Sequence, residues 1–300
     1  MILVVGATGS LGGRITRGLL AQGKAVRILA RNTPLSAELA KQGRANTVES
    51  LVAAGAQAVY GDLKDRASLD AAVAGIDTVI TTATATQRGG DDTLTSVDLQ
   101  GTLDLIDAAK AAGVKRFIYT SAMVAVQGHP MPLFDIKGTC EAALARSGLE
   151  YTILQPAVLM EIWIGMVVGI PLMMQQSVTL IGRGDHHQNF ISEADVAAFA
   201  LATVDNPHAA NRRILLGGPA SYTWSEIADE VGLKLGTPLP VNYLPLGSEV
   251  PLLPPGVGDM LSGMESFETF VDMRETAPAY GVRLTTLDEF IARTFVQSRT

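Results

Sequence analysis

Residues 1–15, MILVVGATGSLGGRI, decide the fold. Four apolar residues, Ile2 to Val5, run into a turn spaced by Gly6, Gly9 and Gly12, and the turn runs into the amphipathic stretch Leu11 to Ala21. A strand that enters a helix through such a turn is the opening unit of a βαβ crossover. In that unit the first glycine makes the sharp turn, the second lets the backbone approach a pyrophosphate, and the third lets the helix pack closely on the strand. The start of the helix then offers N–H groups and the positive end of its dipole to the phosphates. Gly6, Thr8, Gly9, Ser10, Leu11 and Gly12 are therefore the first candidate dinucleotide-binding residues. Their spacing is G-x-x-G-x-x-G rather than the commoner G-x-G-x-x-G. An ordinary tight turn is the competing explanation, and the flanking strand and helix argue against it.

Outward from this turn, short apolar runs alternate with longer stretches of helical period as far as Leu154. Strands are predicted at Ile2 to Val5, Ala25 to Ala30, Ala56 to Tyr60, Thr78 to Thr82, Arg116 to Thr120 and Tyr151 to Leu154. Helices are predicted at Leu11 to Ala21, Pro34 to Ala54, Arg66 to Ala74, Thr93 to Ala112 and Asp135 to Ser147. The alternation implies right-handed crossovers and a parallel sheet covered on both faces. The expected fold is α/β: a Rossmann-type doubly wound parallel sheet over residues 1–155, with a smaller C-terminal α+β substrate-binding region over 156–300, interleaved with the first.

Beyond Pro156 the alternation decays. Ser192 and Thr223 begin helix starts of capping-box type, Arg213 to Leu216 and Leu239 to Leu244 read as short strands, and Thr286 to Gln297 as a last helix. Ile162 to Met174 is strongly apolar but too short for a membrane span, which needs about 20 residues, so it is expected to be buried or to line a pocket. Tyr243 to Phe267, rich in Pro, Gly, Leu and Met, is expected to fold over an apolar cavity.

Composition bounds the function. Of 300 residues, 47% are hydrophobic and 18% charged, the profile of a compact globular enzyme and not of a disordered chain. A net charge of −7 provides no basic footprint for nucleic acid. The single cysteine, Cys140, excludes an internal disulfide framework and suits a reducing cytosol. The chain is expected to be cytoplasmic, without a signal peptide, and monomeric or homodimeric.

The predicted strand ends point to the cofactor. An NAD site places an acidic residue after the second strand, about 20 residues beyond the glycines. Here Ala30, Arg31 and Asn32 supply no carboxylate, and Arg31 suits the 2′-phosphate of NADP through a charge-assisted fork. A solvated loop arginine is the bland alternative, and Lys41 and Arg44 are alternative phosphate partners. After the third strand, Asp62 can accept from an adenine amino group and Leu63 can pack on its ring. After the fourth, Thr82, Ala83 and Thr84 are small enough to let a cofactor lie against the strand end. After the fifth, Thr120 and Ser121 fall near the expected nicotinamide position, and Gln155 and Pro156 follow the sixth.

GATGSLG, the strand-end Arg31, YGDLKDRASLDAAVAGIDTVI, GTLDLIDAAKAAGVKRFIYTSA and ISEADVAAF occur in an order that resembles the atypical short-chain dehydrogenase/reductases, and more specifically their NmrA-like group. That group includes NADPH-dependent quinone oxidoreductases, triphenylmethane reductase, isoflavone-reductase relatives and cofactor-sensing regulators. The resemblance spans nearly the whole chain. It implies NADP(H) as cofactor and Lys137 as the lysine of a Tyr-x-x-x-Lys pair that holds the nicotinamide ribose. The sequence departs from the pair at LFDIK, where Leu133 stands in the tyrosine's place, so the usual proton donor is missing. Lys137, Ser121 and His129 are the candidate catalytic residues. His186 and His187 are weaker candidates, since such pairs commonly lie on solvated turns. No His/Cys/Asp cluster has metal-ligand spacing, so no metal is expected.

These readings together lead to an NADPH-dependent reductase acting on a small apolar aromatic or quinone-like acceptor, with neither nucleic acid nor a membrane span involved. The rivals are a non-catalytic NADP-sensing regulatory protein and an isomerase or dehydratase that keeps the dinucleotide.

Overall fold

A computed structural model describes residues 1–32, 46–86 and 90–297 of the chain. Two compact units are present, Met1–Gln155 with Val196–Leu215, and Pro156–Asp195 with Leu216–Thr300.

The first unit is a seven-stranded sheet. Its strands are β1 (Ile2–Val5), β2 (Val26–Ala30), β3 (Gln57–Tyr60), β4 (Thr78–Thr81), β5 (Arg116–Thr120), β6 (Glu150–Pro156) and a late strand, Arg212–Leu216, beside β6 at the edge. The order from the other edge is β3, β2, β1, β4, β5, β6, and β1 to β6 pair in parallel. Every residue of β1 and β4 is buried, as a strand covered on both faces requires. The chain runs outward one way from β1 and then restarts at β4 on its other side, which makes the β1/β4 boundary the switch point of the sheet. Register brings the carboxyl ends level: Val5 pairs with Leu29 and Thr81, Thr81 with Tyr119, and Thr120 with Leu154. The residues that follow these ends, Gly6, Arg31, Thr82, Ser121 and Gln155, therefore share one edge.

Helices α1 (Ser10–Ala21), α2 (Val48–Ala53), α3 (Arg66–Val73), α4 (Thr102–Ala111) and α5 (Pro132–Arg146) cover the sheet, and Leu3, Val79, Leu105, Phe117, Leu144 and Ile153 belong to one buried cluster. Three expectations change. Of Pro34 to Ala54, only α2 is a described helix, and residues 33–45 lie outside the described residues. Thr93 to Ala112 is not one α-helix: Leu94–Gly101 is wound as a π-helix, capped by Thr93 and Ser96 reciprocally, and only then becomes α4. Helix α5 begins at Pro132, three residues before the expected Asp135, because proline's fixed φ suits a first helical turn.

The second unit carries a three-stranded sheet of β7 (Val158–Leu159), β9 (Gln188–Ile191) and β11 (Ser221–Tyr222). A separate parallel pair joins β8 (Val178–Ile181) to β12 (Val241–Leu244), and the late strand of the first unit is β10. The helices are α6 (Met160–Ile164), α7 (Ile170–Met173), α8 (Glu193–Thr203, which runs back into the first unit), α9 (Trp224–Leu235), α10 (Val257–Met264), α11 (Thr276–Ala279) and α12 (Leu287–Ile291). The Thr223/Glu226 capping box forms as expected and starts α9. Phe190 and Trp224 meet edge to face, their ring centroids 5.2 Å apart, within a core that includes Ile227 and Phe290. Val250, Val257 and Leu261 bring the Pro- and Met-rich stretch into that core, while Leu246 and Leu252 stay exposed. Ile164, Val167 and Val168 are buried as expected, but Met173 is 85% exposed. Among the described residues no helix is long and apolar enough to cross a membrane.

Candidate functional site

The glycine turn has the geometry its spacing suggests. Gly6 has φ +88°, and a Cβ there would lie 2.7 Å from Thr82 Oγ1. A Cβ on Gly12 would lie 2.2 Å from the Gly6 carbonyl oxygen, so the third glycine is what lets α1 close onto the turn. Gly9 precedes α1 with no side-chain cap and no acidic residue in the first turn, which leaves the positive end of the helix uncompensated by carboxylate.

One groove gathers Gly6, Thr8, Arg31, Asp62, Leu63 and Ala83 with Val5, Leu29, Gly61 and Val97. At its β2–β3 end, Asp62 Oδ1 accepts from the Lys64 backbone N–H at 2.9 Å, and Leu63 is buried. Arg31 is ion-paired: its Nη1 lies 2.7 Å from Asp92 Oδ2, and Lys64 Nζ lies 2.7 Å from Asp92 Oδ1. The Asp92 side chain is only 6% exposed, whereas the two cations are partly solvated. Its hydrogen bond holds the Lys64 ammonium above the usual lysine range. Lys41 and Arg44 lie outside the described residues.

The carboxyl ends of β4 and β5, whose Thr82, Thr84, Thr120, Ser121 and Lys137 are not among the residues lining that groove, are built differently. Thr82 donates its backbone N–H to the Val5 carbonyl, and the Thr84 hydroxyl accepts from the Thr86 N–H. Lys137, on α5, is 9% exposed; its Nζ donates to the Thr120 carbonyl at 3.1 Å and lies 5.4 Å from the centre of the Tyr119 ring. Burial pushes this ammonium below the usual lysine range, against the attraction of Asp98 and Glu141. Thr120 Oγ1, Ser121 Oγ and Asp98 Oδ1 are buried without a hydrogen-bond partner, three of the six such side-chain atoms among the described residues. Buried polar atoms are nearly always paired, so the Thr120 and Ser121 hydroxyls at the end of β5, with Asp98 of the 94–101 helix, form a candidate place for a polar ligand.

Leu133 sits one helical turn before Lys137, on the same face of α5. Tyr119 does not replace the missing tyrosine, because its phenol is buried and burial pushes it well above its ordinary range. His129 Nδ1 accepts the Met131 backbone N–H at 3.0 Å, and its ring packs edge-on against Phe134, so Nε2 carries the proton of the neutral ring. Gln155 Nε2 donates to Glu141 Oε1 at 2.9 Å, and Arg213 Nε donates to Glu141 Oε2 at 2.9 Å. Pro156 closes β6 and is buried. Reading by strand ends missed Lys64, Asp92, Asp98 and Tyr119. The sequence signal for Asp98 is an acid on the apolar face of a predicted helix.

Residues 1–291 match the NmrA-like family. The chain belongs to that family. This NmrA-like chain is 33% identical over 246 residues to the photosystem II assembly factor Ycf39 of Synechocystis, covering 82% of this chain and 71% of that protein. It is 26% identical over 249 residues to the NAD(P)H azoreductase of Xenophilus azovorans, covering 83% and 78%. It superposes on the NADPH-dependent quinone oxidoreductase QOR2 of Escherichia coli, solved with NADPH, at TM-score 0.76 and 26% identity, over 98% of this chain and all of that one. NAD(P)H-dependent reductases and an assembly factor thus both stand among the relatives of this NmrA-like protein. Its residues fit a dinucleotide on their own terms. Gly6 and Gly12 leave a cradle that a Cβ would fill, α1 offers an uncompensated N-terminus, and the β5 end holds unpaired hydroxyls.

Proposed function

We propose that the protein is an NADPH-dependent reductase that delivers hydride to an apolar, conjugated acceptor such as a quinone or a polycyclic enone. The reading rests on one observation above all: a buried, oriented Lys137 beside two unpaired hydroxyls, with Leu133 in the place of an acid. When bound, NADPH supplies the hydride. The chain's own groups bind and orient. Gly6, Gly9 and Gly12, with the start of α1, take the pyrophosphate. Arg31 takes the 2′-phosphate, and Asp62 and Leu63 take the adenine. Lys137 takes the ribose, its Nζ already fixed by the Thr120 carbonyl. The Thr120 and Ser121 hydroxyls hydrogen-bond at the nicotinamide end, and Thr82, Ala83 and Thr84 leave room for the cofactor beside β4. Gln155 and Pro156 border the same edge.

A conjugated acceptor spreads the arriving negative charge over its oxygens, so a dedicated acid is less needed and water can deliver the proton. Ser121 Oγ, buried and without a partner, supplies a hydrogen bond in this reading. His129 Nε2–H is the remaining imidazole donor. The test is NADPH oxidation by the purified chain across a quinone panel. Turnover is expected; tight NADPH binding without turnover on any member overturns the reading.

A second reading has its own support in Leu133 and in the 33% identity to an assembly factor. In it the chain binds NADP(H) and acts through a protein partner. Equal affinity for both redox forms, with no turnover, favours that reading.

A further inference from the structure

We propose that Asp185, His186 and Glu265 form a site for a divalent cation of the zinc class, which ties the turn between β8 and β9 to the segment after α10. The inference is independent of the cofactor reading, since it lies wholly within the second unit.

The same criterion that marks the strand-end site selects this one. Of the three unpartnered buried side-chain atoms among the described residues of the second unit, two are His186 Nδ1 and Glu265 Oε1. The Glu265 side chain is 4% exposed, a position where a carboxylate without full compensation is costly. One donor atom from each of Asp185, His186 and Glu265 lies within 4.8 Å of the other two. His186 Nδ1 is 3.4 Å from Asp185 Oδ1 and 3.7 Å from Glu265 Oε2. Both separations are long for an N–H···O bond. They are close to the ligand–ligand edge of about 3.3–3.6 Å that follows from zinc bonds of about 2.0–2.2 Å in a tetrahedron. An imidazole nitrogen with two carboxylates is a donor set for zinc and its transition-metal neighbours, whereas magnesium and calcium prefer oxygen alone.

The surroundings hold the ligands in place. Glu265 Oε2, the oxygen nearest His186 Nδ1, also accepts from the backbone N–H groups of Arg183 and Gly184, at 3.3 and 3.0 Å, which fixes the carboxylate; Oε1 is buried without a partner. Gly182 has φ +67°, and a Cβ there would lie 2.8 Å from Glu265 Oε2, so the turn is shaped to admit this side chain. Asp185 Oδ2 pairs with Arg183 Nε at 2.8 Å, which turns Oδ1 toward His186. The neighbouring ring, His187, is engaged elsewhere: its Nδ1 contacts Glu268 Oε1 at 3.1 Å, and it stacks on Phe270. With neutral His186, two carboxylates and a dication cancel in charge. Three protein ligands leave a fourth position, and Asp185 and His186 are open enough for entry.

The test is calorimetric titration of the chelator-stripped full chain with zinc chloride, followed by thermal melting with and without one equivalent. One zinc per chain is expected, with a rise in Tm. His186→Ala and Asp185→Asn should each weaken binding about 10–100-fold, and His187→Ala should leave it unchanged. Glu265→Gln keeps an oxygen for the two backbone amides while removing the charge, so it should fold and bind weakly. Absence of stoichiometric binding, or His186→Ala binding as tightly as wild type, overturns the proposal.

Discussion

The carboxyl ends of β2 and β3 and those of β4 and β5 satisfy their polar groups in opposite ways. At the β2–β3 end, Arg31 and Lys64 are already neutralised by Asp92. At the β4–β5 end, Thr120 Oγ1, Ser121 Oγ and Asp98 Oδ1 have no partners and Lys137 is held in place. A ligand binding at the first end must displace a protein group; at the second it completes a set of bonds the fold leaves open. On the proposed reading, the first end would set which dinucleotide binds, and the second how its reactive ring is held.

The comparison can be broken most severely at the turn that serves both ends. Gly12→Ala places a Cβ against the Gly6 carbonyl, and a cost of about 2 kcal/mol in this geometry should weaken NADPH binding about 30-fold and lower Tm, read by calorimetry and melting. Arg31→Leu removes a charge-assisted contact of about 1.5–3 kcal/mol, so NADPH affinity should fall about 10–100-fold while NADH affinity holds; an equal loss for both would place the 2′-phosphate elsewhere. Lys137→Met should weaken both dinucleotides about 10-fold, because the ribose is common to them.

A pH series sharpens the contrast. The Lys137 ammonium lies below the usual lysine range, so NADPH binding should weaken with rising pH earlier than an exposed lysine would cause, and Lys137→Met should abolish that limb. The sign for stability is opposite. The folded chain releases this proton more readily than the unfolded one, so Lys137 makes stability rise with pH between the folded and unfolded values. The smallest effect is expected from Asp92→Asn, which frees two partly exposed cations. NADPH should bind about 5-fold tighter and NADH unchanged, in line with about 1 kcal/mol for such pairs.

The first unit was legible because buried parallel strands must be continuous apolar runs, and their ends then fall into register. Val5, Ala30, Thr81 and Thr120 are strand ends within one residue of the sequence reading. Asp92 was not legible, and Asp98 showed only as an acid on the apolar face of a predicted helix. One acts from a turn on side chains 61 and 28 residues away, and the other is aimed by a π-helical winding that an apolar period does not reveal. In the second unit β7 and β11 are two residues each, too short to carry a period. The Asp185, His186 and Glu265 cluster joins residues about eighty positions apart, so ligand spacing along the chain was blind to it. Proline at the start of α5 is a signal that was present and passed over.

The most direct test of the central claim is NADPH oxidation by the wild-type chain at saturating NADPH across a panel of quinones, run beside Lys137→Met. The account predicts turnover with at least one quinone, and a loss in Lys137→Met that added NADPH does not fully restore. Saturable NADPH binding with no oxidation of it by any quinone would contradict the account and leave a dinucleotide-binding protein that does no chemistry.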